Sequence, residues 1–340
     1  MQESSLGGSA TAVAQASDFN ATFQTIKEEV AKYIVSQEDV IEGVLTALIA
    51  GGHVLLEGVP GIGKTLLVRT LSEAVSMKFS RIQFTPDLMP ADIQGTMILQ
   101  DSEAGHPTLQ FREGPLVANL VLADEINRAT PKTQSALLEA MQEHQITVSN
   151  NTITLPEPYC VMATQNPVEQ EGTYPLPEAQ LDRFLLKILV TYPEETAYHE
   201  IIDRTTGESE PEIRPVCDAD TILKMRSVAR AVAVPEVAKN FAIRLVMATQ
   251  PGSSYASHLT NEYVMLGSSP RGAQSLILAS KVRALLDDRY AVSTDDINAV
   301  AKPVLRHRIV LNFSAQANNV TADEVLDQVL TKIKHPNHVE

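Results

Sequence analysis

The feature that most constrains the fold is a glycine-rich segment between an apolar run and a helical pattern. The apolar run covers residues 53–57, the segment reads Gly-Val-Pro-Gly-Ile-Gly-Lys-Thr over residues 58–65, and the helical pattern begins at Leu66. Glycines let the backbone fold so that successive N–H groups point inward, and the following helix adds the positive end of its dipole. The order of strand, loop and helix therefore predicts a cradle for a polyphosphate.

The residue types in this segment predict how a nucleotide and a metal ion would be held. In the pattern G-x-x-x-x-G-K-[ST], the lysine reaches the β- and γ-phosphates and the hydroxyl residue ligates Mg²⁺. Here these residues are Lys64 and Thr65. The alternative is a glycine-rich turn with a chance lysine, which requires four fixed positions to coincide. The segment residues that we expect to bind the cofactor are Gly58, Pro60, Gly61, Ile62, Gly63, Lys64, Thr65 and Leu66.

Composition limits the classes of protein to which the chain can belong. Its 340 residues are 44% hydrophobic, which allows a large core and, by length, two domains. Because 42 acidic and 27 basic residues give a formal net charge of −15, a broad surface for nucleic acid or anionic membrane is disfavoured. Cys160 and Cys217 lack metal-ligand spacing and are expected to be small buried side chains.

Hydropathy gives an expectation about location. No apolar run approaches the roughly 18 residues of a membrane span, and no signal-peptide pattern opens the chain. We therefore expect a cytoplasmic protein with no integral membrane segment.

The N-terminal part of the chain predicts a tail followed by two helices. Residues 1–17 are small and polar without an aromatic residue, so we expect a disordered tail. From Phe19 onward, apolar residues recur at helical spacing. Residues 36–39 read Ser-Gln-Glu-Asp, a pattern typical of a capping box that opens the second helix.

A second chemical landmark follows a fully apolar run at residues 120–123. Such a run is typical of a central parallel strand, and ligands bind at the carboxyl ends of such strands. The run ends in Asp124 and Glu125. We expect Asp124 to hold Mg²⁺ through water and Glu125 to orient and polarise the water that attacks the γ-phosphate. The alternative is an ordinary cap between a strand and a helix.

Two hairpins are predicted between the core elements. Residues 85–116 contain several glycines and prolines around two short alternating stretches, 96–99 and 108–111. Residues 145–155 alternate on both sides of an Asn-Asn pair, which favours a second hairpin.

Further candidate residues lie at the ends of later elements. Asn166 follows a strand predicted at residues 159–164 and could bind the attacking water or the γ-phosphate; the alternative is an Asn-Pro turn. Arg183 lies between a short helix at 177–182 and the last core strand at 184–190, where a surface ion pair with Glu178 or Asp182 is the alternative.

Beyond residue 192 the strand pattern stops and helical periods follow. We therefore predict an α/β nucleotide-binding domain over residues 18–191 and a helical domain over residues 192–340, with a polar loop at 252–269. Arg271 lies in the first turn of a helix, where the dipole opposes a cation, so a functional role is plausible beside that of a solvated arginine.

Five motifs occur in a fixed order in this chain. They are Gly-Val-Pro-Gly-Ile-Gly-Lys-Thr, Asp-Glu-Ile-Asn-Arg, Ala-Thr-Gln-Asn-Pro, Leu-Asp-Arg-Phe and Ser-Pro-Arg-Gly. With them the chain resembles the AAA+ ATPases of the MoxR family from about Phe19 to its C-terminus. The resemblance implies an αβα P-loop NTPase core with a five-stranded parallel sheet and hairpin inserts, followed by an all-helical lid domain.

The resemblance also implies roles for single residues. Asn166 matches sensor 1, Arg183 matches the arginine finger that reaches a neighbour's ATP, and Arg271 matches sensor 2. Ile34 and Val35 would lie near adenine, although relatives often have Gly where this chain has Ser36. The implied catalytic residues are Glu125, Asn166, Arg183 and Arg271, the metal ligands are Thr65 and Asp124, and Val35 joins the cofactor-binding residues.

The function implied by the resemblance is Mg²⁺-dependent ATP hydrolysis by a homo-oligomeric, hexameric ring. ATP or ADP and Mg²⁺ would be the cofactors, and turnover would drive chaperone-like remodelling or assembly of a client protein, with a von Willebrand factor A domain protein as a possible partner. A nucleic-acid motor is one alternative, but residues 85–118 hold five acidic residues and one basic residue, and residues 145–155 hold neither Lys nor Arg. A channel that grips phosphates needs cations, so we expect no nucleic-acid partner. A nucleotide-gated scaffold is the other alternative, against which the intact Asp124 and Glu125 weigh.

Overall fold

The computed structural model describes residues 3–101, 107–149, 151–167, 172–207 and 212–334. They divide into two compact units. The sheet unit comprises Thr25–Leu176 and Ile188–Leu223, and the helical unit comprises the chain before Thr25, Pro177–Lys187 and the chain from Lys224 onward.

The elements follow the chain order below. They are α1 (Glu3–Ala31), α2 (Glu38–Ala50), β1 (Val54–Glu57), α3 (Lys64–Ala74), β2 (Phe79–Gln83), α4 (Pro90–Gln94), β3 (Gly95–Asp101), β4 (Pro107–Glu113), β5 (Leu120–Asp124), a 3-10 turn (Ile126–Arg128), α5 (Pro131–Glu143), β6 (Gln145–Val148), β7 (Asn151–Thr154), β8 (Cys160–Gln165), α6 (Glu178–Leu181), β9 (Leu186–Leu189), α7 (Glu195–Thr206), α8 (Ala219–Ala231), α9 (Glu236–Ala248), α10 (His258–Tyr263), β10 (Val264–Leu266), α11 (Pro270–Leu286), α12 (Thr294–Leu305), β11 (Val310–Leu311), α13 (Phe313–Ala317) and α14 (Ala322–Lys334).

The main sheet has five strands in the order β2-β5-β8-β1-β9. The pairs β1–β8, β5–β8 and β2–β5 are parallel, as predicted from the apolar runs. In the register, Glu57 lies opposite Gln165 and Gln83 lies opposite Asp124. The polar residues that end these strands therefore meet at one edge of the sheet.

The core of the sheet unit is formed by the central strands and the helices beside them. Residues 54–56 of β1 and 120–123 of β5 are completely buried, because helices cover both faces of a parallel sheet. Cys160 is buried on β8, whereas Cys217 is only half-buried; both thiols are free. The prediction of two buried cysteines is thus confirmed for Cys160 alone.

Both predicted hairpins are present. β3 pairs with β4 from Gly95 opposite Glu113, and β6 pairs with β7 from Gln145 opposite Thr154. The loop tips at residues 102–106 and at residue 150 of the Asn-Asn turn lie outside the described residues. The short helix α4 was not predicted, because its five residues hold too few apolar positions to show a period.

The helical unit confirms the predicted lid, with one addition. The segment predicted as a polar loop at 252–269 contains α10 and β10, and β10 pairs antiparallel with β11. A strand of three residues is too short to show alternation, so the sequence gives no signal for it. The predicted capping boxes that open α12 and α14 are both confirmed.

Two predictions about the N-terminal segment are wrong. The helix α1 begins at Glu3, so residues 3–17 are helical and do not form a disordered tail. Alanine has the highest helix propensity, and four of the seven residues from 10 to 16 are alanines, of which Ala16 is fully buried. In α2 the N-cap is Gln37 and no side chain caps the helix, so residues 36–39 form no capping box.

The division of the chain differs from the predicted boundary at residue 192. Residues 192–223 cluster with the sheet unit. Arg204 of α7 donates to the carbonyl oxygens of Ala31, at 2.8 Å, and Lys32, and Val216 N donates to Ala74 O at 2.8 Å. These contacts join residues far apart in sequence, which explains why helical periodicity alone misplaced the boundary.

The buried carboxylate of Asp296 yields a prediction for the stability of the helical unit. Asp296 accepts hydrogen bonds from Arg289 Nη1 at 2.8 Å, Arg289 Nη2 at 2.6 Å and Ser293 N at 2.7 Å. Burial alone would raise the pKa of Asp296, but the bonds from Arg289 and Ser293 outweigh it and hold the pKa below its usual range. The stabilisation is therefore present above the pKa of the unfolded carboxyl group, about 3.9, and is lost as the pH falls through the folded pKa.

We expect Asp296→Ala to lower the free energy of unfolding at pH 7 by about 3 kcal/mol, since it leaves the Arg289 charge without this partner and removes the cap of α12. The value lies at the lower end for a buried pair because the Arg289 side chain is 39% exposed. Urea unfolding followed by circular dichroism measures it. Asp295→Ala is the matched control, because Asp295 is exposed in the same helical turn; equal losses in the two variants would contradict the prediction.

Candidate active site

The loop that follows β1 has a backbone that requires glycine at several positions. A Cβ atom at Gly58 would lie 2.4 Å from Val190 O, and Gly61 and Gly63 have φ angles of +83° and +85°. Side chains are strained in that left-handed region. Gly63 is the N-cap of α3, so the first N–H groups of this helix point toward the loop. The predicted phosphate cradle is therefore present in the backbone.

Lys64 lies over this loop. Its Nζ donates hydrogen bonds to Gly58 O at 2.5 Å and Val59 O at 3.2 Å. Burial lowers the pKa of Lys64, and the negative charges of Asp124 and Glu125 oppose this effect. The ammonium group is thus pre-positioned at the loop, within the field of the two carboxylates.

Thr164, at the end of β8, links the two carboxylate residues at the end of β5. Its Oγ1 donates to Asp124 Oδ1 at 2.7 Å and accepts from Glu125 N at 2.8 Å. Glu125 has φ 57° and ψ 51°, a left-handed conformation that is uncommon for a residue other than glycine. The Thr164 hydroxyl therefore fixes both the side chain of Asp124 and the strained backbone of Glu125.

Three further side chains contact the carboxylates and were not predicted. Arg81 Nη2 donates to Asp124 Oδ2 at 2.6 Å, Gln83 Nε2 donates to Glu125 Oε2 at 2.9 Å, and Arg128 Nη1 donates to the same oxygen at 3.0 Å. Arg81 and Gln83 are two residues apart on β2 and so share one face of that strand. The alternation of β2 was visible in the sequence, but its pairing with β5 was not.

A polar cavity of about 380 Å³ brings these groups together. The residues that line it are Pro60, Gly61, Gly63, Lys64, Thr65, Leu66, Arg81, Gln83, Asp124, Glu125, Thr164 and Asn166. It thus unites the predicted loop, both predicted carboxylates and Asn166 in one site of the sheet unit.

An apolar cavity of about 320 Å³ shares part of the loop with the polar cavity. It is lined by Tyr33, Ile34, Val35, Gln37, Pro60, Gly61, Ile62, Gly63, Leu66, Tyr192, Pro193, Tyr198, Ile201 and Arg204. Ile34 and Val35 are therefore in a cavity wall, as predicted, and Gln37 Nε2 donates to Ile62 O at 3.1 Å. The residues from 192 onward were missed because they join the wall through long-range packing.

Arg183 and Arg271 both belong to the helical unit. Arg271 Nη1 lies 3.8 Å from Asp182 Oδ2, and Ser269 Oγ donates to the same oxygen at 2.9 Å. Arg308 Nε donates to Asp182 Oδ1 at 2.9 Å. The carboxylate before the half-buried Arg183 is thus engaged by Arg308 and Ser269, so Asp182 is not a dedicated partner of Arg183.

Buried groups also hold the backbone around Arg183. Arg308 Nη2 donates to Phe184 O at 2.6 Å, and Arg308 Nη1 donates to Leu185 O at 3.2 Å. Burial lowers the pKa of Arg308 to about 10, which leaves it charged at neutral pH. Burial also lowers the pKa of His307 well below its usual value, so the neutral ring donates from Nε2 to Phe184 O at 3.0 Å.

Comparison with known proteins identifies the family. The model of the ATPase family associated with various cellular activities (AAA) matches residues 53–186, and the model of the AAA lid domain matches residues 256–329. The chain is 43% identical over 308 residues to Chaperone MoxR1 of Mycobacterium tuberculosis, which covers 91% of this chain and 81% of the relative. The chain belongs to the MoxR family of AAA+ ATPases.

Other relatives agree with the MoxR assignment. Protein MoxR of Methylorubrum extorquens is 30% identical over 317 residues, covering 88% of this chain and 90% of the relative. A crystal structure of a Cytophaga hutchinsonii protein superposes with a TM-score of 0.88 at 39% identity, covering 95% of this chain and 97% of that one. The P-loop core with a helical lid is therefore the fold of this MoxR-family chain. Within the described residues, no helix combines the length and apolar character needed to cross a bilayer.

The Thr164 link predicts a loss of stability when its hydroxyl is removed. Thr164→Val keeps the side-chain volume but leaves Asp124 Oδ1 and Glu125 N without that partner, and Thr164 is only 1% exposed. We expect the free energy of unfolding to fall by about 2 kcal/mol or more, as measured by urea denaturation.

Thr164→Ser is the matched control, since it retains the hydroxyl and loses only a methyl group, for about 1 kcal/mol. A larger loss in the Ser variant than in the Val variant would show that packing, and not the hydrogen bonds, is the contribution of Thr164.

Proposed function

We propose that the chain is a Mg²⁺-dependent ATPase that uses ATP turnover to remodel or assemble a client protein. The observation that carries the proposal is the polar cavity, in which the glycine loop, Lys64, Asp124, Glu125 and Asn166 all line one space. Membership of the AAA+ family supports nucleotide binding and ATPase activity. A scaffold that only binds nucleotide needs no pair of carboxylates at this position.

The two cavities together suit a nucleotide. The apolar cavity has Ile34, Val35 and Tyr198 in its wall and would take the adenine ring. The loop shared by both cavities would take the polyphosphate on its N–H groups, and Lys64 would leave its carbonyl partners to contact the β- and γ-phosphates. Val35 and the loop residues from Gly58 to Leu66 are thus the proposed cofactor-binding residues.

The chemistry of the donor set fits Mg²⁺. Thr65 and Asp124 both line the polar cavity, and hydroxyl and carboxylate oxygens suit this hard cation. Asp124 Oδ2 already accepts from a cation, Arg81, so the carboxylate is ionised and directed into the cavity. We assign Thr65 and Asp124 to hold the ion, which when bound would neutralise charge on the transferring phosphate.

Glu125 is the proposed base for the attacking water. Gln83 and Arg128 both bind Oε2 and so hold the carboxylate in place, and we assign Oε1 to the water. Asn166, in the same cavity wall, would position that water or the γ-phosphate. The water would lose its proton to Glu125 as its oxygen attacks phosphorus.

Arg183 and Arg271 are the proposed arginines of the reaction. A finger supplied by a neighbouring subunit stabilises the charge that develops on the phosphate, and we assign this role to Arg183 in a hexameric ring. Arg271 would act as sensor 2. The clamp of Arg308 and His307 on residues 182–185 supports a defined position for Arg183.

The client and the cell compartment belong to the proposal alone. A relative that is 43% identical carries the name Chaperone MoxR1, which supports a chaperone-like role. A von Willebrand factor A domain protein as partner, a cytoplasmic location and the absence of a nucleic-acid partner remain predictions from the sequence. The few cations on the hairpin inserts weigh against the nucleic-acid motor.

Glu125→Gln separates ATP binding from hydrolysis. The amide keeps the size of the side chain but cannot accept a proton, so we expect phosphate release to slow by at least about a hundredfold while calorimetry gives an ATP affinity within about twofold of the original. Glu139→Gln on α5, an exposed site, should leave the rate unchanged. Turnover that survives in Glu125→Gln would show that another group activates the water.

Mixing two inactive variants tests whether Arg183 acts across a subunit boundary. An Arg183→Ala ring keeps its loops but lacks fingers, and a Lys64→Ala ring keeps fingers but cannot hold ATP. Since a finger supplied in trans contributes about 10³ to 10⁵ in rate, we expect ATPase activity to return when the two are dissociated and reassembled together. The yield should rise with protein concentration.

Two controls make the mixing experiment decisive. Mass photometry must show mixed oligomers, and Arg183→Ala alone must bind ATP and remain folded. If mixed oligomers form without activity, Arg183 acts within its own subunit or not at all. A wild-type rate in Arg183→Ala alone would assign the residue to a surface ion pair.

A further inference from the structure

An arginine on the edge strand β2 occupies the carboxylate that we assign to the metal ion. Arg81 Nη2 and Nε donate to Asp124 Oδ2 at 2.6 Å and 3.2 Å. The Arg81 side chain is 48% exposed, whereas that of Asp124 is only 13% exposed. Arg81 also lines the polar cavity with Lys64 and Thr65, so its charge lies inside the site and not on a remote surface.

The bonds around Asp124 leave little room for a second cation at the same oxygen. Oδ1 accepts from Thr164, which is buried, and Oδ2 accepts from Arg81. A charge-assisted bond of this length is about twice as strong as a neutral one. Mg²⁺, or a water molecule of its shell, requires a lone pair of the same carboxylate. Binding of the ion at Oδ2 therefore opposes the Arg81 contact.

We propose that Arg81 is a positioning residue that competes with Mg²⁺ for Asp124, and so sets the Mg²⁺ concentration at which the nucleotide site fills. Without the ion, the guanidinium neutralises Asp124 and holds it in place. When Mg²⁺ arrives with the nucleotide, Arg81 gives up Oδ2. This inference rests on the proposed function, because it takes the cavity to be a nucleotide–Mg²⁺ site.

Gln83 keeps the displaced arginine close to the site. Arg81 Nη2 donates to Gln83 Oε1 at 2.8 Å, and Gln83 Nε2 donates to Glu125 Oε2. The amide thus joins the cation on Asp124 to the carboxylate of the proposed base. Release of Asp124 leaves this second contact of Arg81 available, so the side chain can return when the ion departs.

The test is the Mg²⁺ dependence of ADP binding to the full chain, measured by calorimetry at a series of Mg²⁺ concentrations. ADP binding needs no turnover, so this readout is independent of ATPase activity. In Arg81→Ala we expect the half-saturating Mg²⁺ concentration to fall about three- to tenfold, because the competitor is gone. Arg81→Lys, which keeps the charge but loses the paired contact, should lie between the two.

Arg69→Ala is the matched control. Arg69 is an exposed arginine of α3 paired with Glu73, so its loss changes the net charge equally without touching Asp124. We expect its Mg²⁺ dependence to equal that of the original chain, and thermal unfolding should show all three variants folded, since Arg69 and Arg81 are both exposed.

Three results would overturn the inference. An unchanged or higher half-saturating Mg²⁺ concentration in Arg81→Ala would show that Arg81 does not compete with the ion. An equal decrease in Arg69→Ala would reduce the effect to net charge. If the original chain binds no ADP at any Mg²⁺ concentration, the proposed function itself fails, and with it the assignment of Asp124 on which the inference rests.

Discussion

The parallel register of β1, β5 and β8 aligns the ends of these strands, and the polar cavity depends on that alignment. The strand ends are joined by one hydroxyl group, Thr164, which binds the side chain of Asp124 and the backbone of Glu125. A slip of one residue would turn Thr164 to the opposite face of the sheet and separate the two carboxylates from the loop. The buried apolar runs that fix the register thus also fix the chemistry.

The helical unit solves a similar problem with a buried charge. Arg308 holds Asp182 and the carbonyl groups that follow it, so the backbone on both sides of Arg183 has little freedom. Ser269 and Arg271 approach the other oxygen of Asp182. One carboxylate therefore connects the two arginines to which the resemblance gives separate roles.

Features carried by contiguous residues were predictable, and features created by long-range pairing were not. The loop at Gly58–Thr65, the Asp124–Glu125 pair and both hairpins each lie in one stretch of sequence, where local chemistry is sufficient. Arg81 and Arg204 reach the cavities only through strand order and packing, which a single sequence does not contain. The start of α1 was missed for another reason: the absence of aromatic residues was given more weight than the helix propensity of four alanines.

The left-handed backbone of Glu125 has a consequence for how this chain balances durability against chemistry. A residue other than glycine costs about 1 kcal/mol or more in that conformation, and glycine, or to a lesser degree asparagine, would relieve it. Neither of those residues can accept a proton from water at neutral pH. The chain thus retains a less stable residue where a sturdier one would fit, as a site shaped for reactivity requires.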